Sequence, residues 1–363
     1  MARCPWSPLT IRPTCCGGRK TRPRHGPTCA WPGACVTTPP DAGDDNFQAR
    51  FERRWGHLTR SHVRALAWLL DAPDLLDPAS PHWRGRIAML GAVTPAVADW
   101  LAALEADPAP LDAALGQRFY SRLGLYAEKL MAFYFQQHGM LAAHGLQVRA
   151  NRNDTVGEFD FLLRDGGRLL HWELATKFYL FDSAPPWDAD DGSFNCLIGP
   201  NLADTLGAKM RKILDKQLVL ASHPAAQALL PQPVDRAQAL VKGWLFYPGG
   251  VRRALEGISQ PHCHGFWFTL AESAALEGER FILMPRLEWL APMKAPLATA
   301  PVLDRAELQQ VLARHMATVA TPQMVAVVVP QDGWWVERAR GFVVPDDWRA
   351  QAVARRLAGT LPS

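Results

Sequence analysis

Residues 157–177 hold four ionisable side chains, Glu158, Asp160, Glu173 and Lys177, that one β-hairpin would gather on a single face. Apolar residues alternate on both sides of Gly166-Gly167, and a Gly-Gly pair between two such runs signals a tight turn. Strand side chains alternate between faces. Phe159, Phe161, Leu163, Leu170, Trp172 and Leu174 are therefore expected together on one face and the four charged residues on the other. A Gly166-Gly167 loop sets Asp165 opposite Arg168 and hence Asp160 opposite Glu173; sliding it to Asp165-Gly166 sets Glu158 opposite Glu173. Either register brings two carboxylates to about 5 Å between Cβ atoms. Like charges at that spacing repel unless a cation lies between them, and a hard divalent ion suits oxygen ligands. The structural alternative is a hairpin whose polar face looks into water.

Upstream, the segment from Leu123 to Gly139 reads as a helix that is apolar around most of its circumference and stopped by Gly139. Glu128 lies in its middle, where a carboxylate needs a partner, a metal or a narrow solvated stripe. Leu146–Asn151 reads as a strand. The order is thus a helix with Glu128, a strand, a strand with Asp160, and a strand with Glu173 and Lys177.

That order resembles the core of the PD-(D/E)XK nuclease superfamily, the fold of restriction endonucleases and Holliday-junction resolvases. The resemblance implies an α/β (α+β) fold, a restriction-endonuclease-like mixed sheet flanked by helices. It also implies Asp160 and Glu173 as ligands of Mg²⁺ or Mn²⁺, aided by the Leu174 carbonyl, with Glu128 and Glu158 as auxiliary acids and nucleic acid as the partner. Such an ion would bind a scissile phosphate and acidify a water. From about residue 50 onward the chain is also similar to a bacterial family known as domain of unknown function 1853. The matching phrases begin at Gly157, His171, Gly199 and Gly341, and that likeness imports no activity.

One position departs from the superfamily pattern. Its lysine stands two residues after the acid, where this chain has Ala175. Lys177 is expected as the catalytic lysine: it shares the face and lies about 13 Å along the strand from Glu173, a distance its flexible side chain could partly recover. The superfamily also implies that a neighbouring helix can supply a migrated lysine. A helix over residues 201–218 would offer Lys209, Lys212 and Lys216 beside an inner stripe of Leu206, Met210, Ile213 and Gln217. Lys209, Lys212 and Lys216 are expected to bind phosphate or to form a solvated face, and Gln217 to enter the site.

The net charge of +4 misleads about the body of the chain. Six of the 39 basic residues and no acids fall within residues 1–40, leaving 33 basic against 35 acidic residues, or −2. The body therefore has no global basic excess, and a phosphate-binding surface must be local. The same forty residues hold Cys4, Cys15, Cys16, Cys29 and Cys35, at spacings that fit no zinc finger. Residues 1–45 are expected to be a disordered extension or not part of the natural protein. No apolar run is long enough to span a membrane, and the usage of cysteine in the body suits a reducing cytoplasm.

Four regions are expected: the extension, a helical region over 46–109, the nuclease-like core over 110–222 and a β-rich part over 240–363. Thr94 and Pro95 open a helix as N-cap and first helical residue. Phe181–Gly199 is a loop with Asp182, Asp188, Asp190 and Asp191, any of which could add a metal ligand. The C-terminal part carries Trp267, Trp289, Trp334 and Trp335, suited to base stacking or to core packing. His262-Cys263-His264 lacks a second ligand pair. The rival to a metal-dependent phosphodiesterase is a non-catalytic module of the same fold that binds nucleic acid or protein.

Overall fold

The computed structural model describes residues 46–116, 120, 122–151, 154–182 and 193–360. The expected N-terminal extension and the loop acids Asp188, Asp190 and Asp191 lie outside them.

Five helices come first: α1 (Phe47–Trp55), α2 (Ser61–Asp71), α3 (Pro95–Ala106), α4 (Ala109–Leu115) and α5 (Leu123–Gln137). Thr94 caps α3 by accepting from the Val97 amide, with Pro95 in the first turn. Helix α5 ends where Gly139 turns to φ 69°, a conformation open to glycine at no steric cost. Strands β1 (Leu141–Asn151), β2 (Asp154–Asp165), β3 (Arg168–Phe181) and β4 (Leu197–Ile198) follow, then α6 (Leu206–Lys212) and α7 (Pro224–Gln227). Next are β5 (Arg236–Pro248), β6 (Cys263–Thr269), β7 (Phe281–Leu283), β8 (Lys294–Pro296), α8 (Arg305–Thr318), β9 (Gln323–Gln331), β10 (Trp334–Val344) and α9 (Trp348–Thr360).

The ten strands among the described residues belong to one mixed sheet in the order β1-β2-β3-β5-β6-β10-β9-β7, with β4 beside β3 and β8 beside β10. The pairs β3–β5, β5–β6 and β6–β10 are parallel, and the two flanking sets are antiparallel. The strands expected as a C-terminal β-rich part thus extend the sheet that carries the acidic hairpin. Alternation along β3 divides the core. Phe178 and Leu180 join the layer under α1–α5, whereas Ala175, Tyr179 and Phe181 face Leu206, Met210 and Ile213. Packing α6 on that second face brings its side chains over Glu173.

Two expectations about local structure need correction. The helix expected across 201–218 is interrupted: α6 stops at Lys212, and Ile213–Gln217 continues as a π-turn closed by the Leu218 amide on the Ile213 carbonyl at 2.9 Å. Phe159 does not share a layer with Phe161. It packs with Val148, Leu162, Leu169 and Leu220, where β2 has left the β3 ladder after the Phe161–Trp172 pair.

Candidate active site

The hairpin adopts the first of the two registers. Gly166 and Gly167 take φ 54° and 94°, as a two-residue turn needs, and Asp165 pairs with Arg168 and Phe161 with Trp172. One step further lie Asp160 and Glu173, where the two strands part. There the Asp160 side chain substitutes for the ladder, its Oδ2 accepting from the Leu174 amide at 2.9 Å. Glu173 is 1% exposed. Its Oε1 meets His171 Nε2 at 2.7 Å and its Oε2 accepts from the Gln217 amide nitrogen.

Burial, and then the charge of Glu173, pushes Asp160 up to about 7. Burial likewise pushes Glu173 up to about 7, against hydrogen bonding with Asp160 and the nearby Lys209 ammonium. Burial drives His171 down to about 4, so this wholly enclosed ring is neutral at pH 7. One ring nitrogen faces Glu173, while Nδ1 is buried without a hydrogen-bond partner among the described residues. The sequence reading missed His171. Its signal was the two-residue spacing to Glu173, which puts both on one strand face.

Glu128 on α5 is partnered by His144 of β1, with Nε2 to Oε1 at 2.7 Å, and its charge still raises both Asp160 and Glu173. The solvated stripe is thus replaced by a cross-element pair. Glu158 stands apart from this group, next to Gln147 at 3.5 Å. Lys209 of α6 donates to the Gln217 carbonyl oxygen at 3.3 Å, and its charge lowers both central acids. Gln217 therefore bridges Lys209 and Glu173. The π-turn, a feature common at functional sites, is what presents it. Lys177 is directed elsewhere: its Nζ lies 2.7 Å from Asp204 Oδ2, which also accepts from Tyr179 at 3.1 Å. Lys212 and Lys216 are exposed. Burial, and then the charges of Lys177 and Lys212, lower Lys209. Ala175, in the place of the superfamily lysine, is 3% exposed inside the core.

The model of the family described as domain of unknown function (DUF1853) matches residues 64–344, most of the chain and the whole of this site. The chain belongs to the DUF1853 family. No curated protein and no solved structure matches it.

Among the described residues of this DUF1853 protein, no group of three or more His, Cys, Asp or Glu side chains could by itself hold a metal ion. The donor chemistry of Asp160 and Glu173 nevertheless fits a hard divalent cation. Both offer carboxylate oxygens, raised in protonation chiefly by burial, and a ligating carboxylate commonly keeps supporting hydrogen bonds such as those that His171 and Gln217 make to Glu173. Asp182 forms an ion pair with Arg356 at 2.7 Å. His262 is held by Tyr247 and the Ser259 carbonyl, and Cys263 is fully buried. Of the tryptophans, Trp267 is 1% exposed and bonded to the Phe181 carbonyl, which makes it a core residue. Trp289, Trp334 and Trp335 are half-buried. No helix among the described residues is long and apolar enough to cross a membrane.

Proposed function

We propose that this DUF1853 protein is a metal-dependent phosphodiesterase acting on nucleic acid in the bacterial cytoplasm. Asp160 and Glu173 ligate Mg²⁺ or Mn²⁺, and Lys209 supplies the positive charge that the superfamily pattern would assign to the position of Ala175. The observation that carries the reading is electrostatic. Asp160 of β2, Glu173 of β3, Glu128 of α5 and Lys209 of α6 act on one another at the point where β2 leaves β3. A divalent cation, when bound, supplies charge neutralisation at a phosphate and an acidified water.

The chain's own residues do the rest. His171 and Gln217 fix the Glu173 carboxylate from two sides, so its orientation is set before substrate arrives. Lys209 neutralises charge developing on the phosphate oxygens. Glu128, steadied by His144, adds negative charge that favours a cation at the pair. Lys212, Lys216 and Lys177 extend a basic surface for the flanking phosphates on a body that is otherwise slightly acidic. The buried free thiols Cys196 and Cys263 support a reducing compartment.

A second reading, a non-catalytic nucleic-acid-binding or protein-binding module, is favoured by two observations. No third side-chain ligand stands by the pair among the described residues, and both Glu173 oxygens are already engaged within the protein.

A cleavage panel of labelled single-stranded and duplex DNA and RNA, with Mg²⁺, Mn²⁺ or EDTA, separates the readings. The enzyme reading expects metal-dependent products that Asp160→Asn and Glu173→Gln abolish and that Lys209→Ala reduces by about 100-fold. Lys177→Ala should cost less, since Asp204 holds that ammonium. Wild-type protein that binds a strand but cuts none under any of these conditions establishes the binding module instead.

A further inference from the structure

A cleft of about 480 Å³ opens where four separate chain segments meet: the loop after β4, the turn at Arg286–Trp289, the loop after α8 and the junction of β10 with α9. Its walls are set in place by the backbone and by two indoles. Trp348 Nε1 donates to the Pro200 carbonyl at 2.7 Å, and Trp289 Nε1 donates to the Met284 carbonyl at 3.1 Å. The Leu202 amide closes onto Gly199 at 2.8 Å.

Two wall residues hold a backbone shape that side-chain-bearing residues rarely adopt, Leu202 at φ 58° and Ala320 at φ 51°. Of the other non-glycine residues with positive φ among those described, Asp332 sits in the β9–β10 turn and Arg84 ends a short 3₁₀ turn. Ala320 ends α8, its amide closing on the His315 carbonyl at 3.2 Å, which leaves Leu202 as the wall residue whose strain serves neither a hairpin nor a helix end, and such strain clusters at binding surfaces.

The chemistry of the lining narrows the occupant. Trp289 is half-buried, with the Arg286 guanidinium 5.8 Å from its ring centroid. Neither that guanidinium nor the Asn201 amide has a hydrogen-bond partner among the described residues. An aromatic face, a planar cation and a carboxamide suit a planar heteroaromatic ring with a hydrogen-bonding edge. The cleft is half-open and has room for one such ring. The loop that forms one wall also carries Asp204, which grips Lys177, about 13 Å along β3 from Glu173.

We propose that this cleft holds one nucleobase of a single-stranded nucleic acid, swung out of the strand whose backbone runs past Lys177 to Asp160 and Glu173. The inference rests on the phosphodiesterase reading only for the path of the strand. A duplex would have to release the base first, so single strands are the favoured form.

The test is binding of a short fluorescein-labelled single-stranded oligonucleotide in EDTA, followed by fluorescence anisotropy, so that no cleavage is required. Arg286→Ala and Asn201→Ala, both at exposed positions, should each weaken binding at least about fivefold. The same strand carrying abasic residues, and the same sequence as a full duplex, should bind more weakly by a similar factor. The inference is overturned if both variants bind like wild type, or if the abasic strand binds as tightly as the base-bearing one. Metal-dependent cleavage that persists alongside such a result would leave the phosphodiesterase reading standing. Base-dependent binding with no cleavage under any metal would do the reverse.

Discussion

Two carboxylates in one buried corner resist ionising together, and the pH dependence of this protein should show it. Asp160 and Glu173 each hold their proton up to about pH 7 in the folded chain, chiefly through burial. An unfolded chain releases those protons near pH 4. Between about pH 4 and 7 the folded state thus binds more protons, so the pair's contribution to stability falls as pH rises through that window. Buried His171 and His262, pushed down to about 4 and 3, act in the opposite sense below about pH 6.5. The clean observable is therefore the difference between wild type and Asp160→Asn. In EDTA, the variant's Tm should gain on wild type by roughly 5 °C between pH 5 and pH 8, at about 2–4 °C per kcal/mol. A gap that stays constant with pH would show that Asp160 is not held protonated. Sequence alone placed Asp160 and Glu173 together, because a Gly-Gly turn leaves few registers. It did not give the partners His171, His144 and Asp204. Each of those contacts depends on how strands bend or how distant elements pack, which period-two alternation does not encode.

Helices and strands with strong local signals were legible, and those shaped by tertiary packing were not. Asp304 and Glu307 form a reciprocal capping box at the start of α8, and the Asp332-Gly333 turn between β9 and β10 takes positive φ at both residues. The π-turn after α6 had no such signal, since its stripe of apolar residues fits an uninterrupted helix equally well. The same holds for Gly243, an ordinary strand residue by sequence. On β5 it pairs with Lys177 of β3, and a Cβ there would come within 2.0 Å of the Lys177 carbonyl oxygen. Gly243→Ala should therefore separate the two central strands and cost about 3 kcal/mol or more. Urea denaturation checks this; a variant with the wild-type midpoint would mean that the β3–β5 contact is looser than described.

The single sheet ties the molecule into one unit, and a buried charge network reinforces the tie between its ends. Arg340 of β10 is wholly buried, forked onto Glu337 with two 2.7 Å contacts and bonded to the Trp289 and Ala291 carbonyls. Gln48 of α1 donates to Glu337 at 3.3 Å, while Glu52 of the same helix joins Lys294 at 2.6 Å and Arg64 at 3.3 Å. Glu337→Ala would leave the Arg340 guanidinium buried without its counter-charge, at a cost of about 3–5 kcal/mol. Chemical denaturation should then show one earlier transition, whereas two transitions would mean that the halves fold separately. Against this nearly neutral body, the buried acidic pair beside Lys209 stands out, and the account rests on a cation filling that place. Calorimetric titration of the full-length chain with Mn²⁺ at pH 7 tests this most directly. The account predicts one ion bound with release of protons, seen as a buffer-dependent heat, and loss of that binding in both Asp160→Ala and Glu173→Ala. Absence of Mn²⁺ binding, or binding that survives both substitutions, would contradict it.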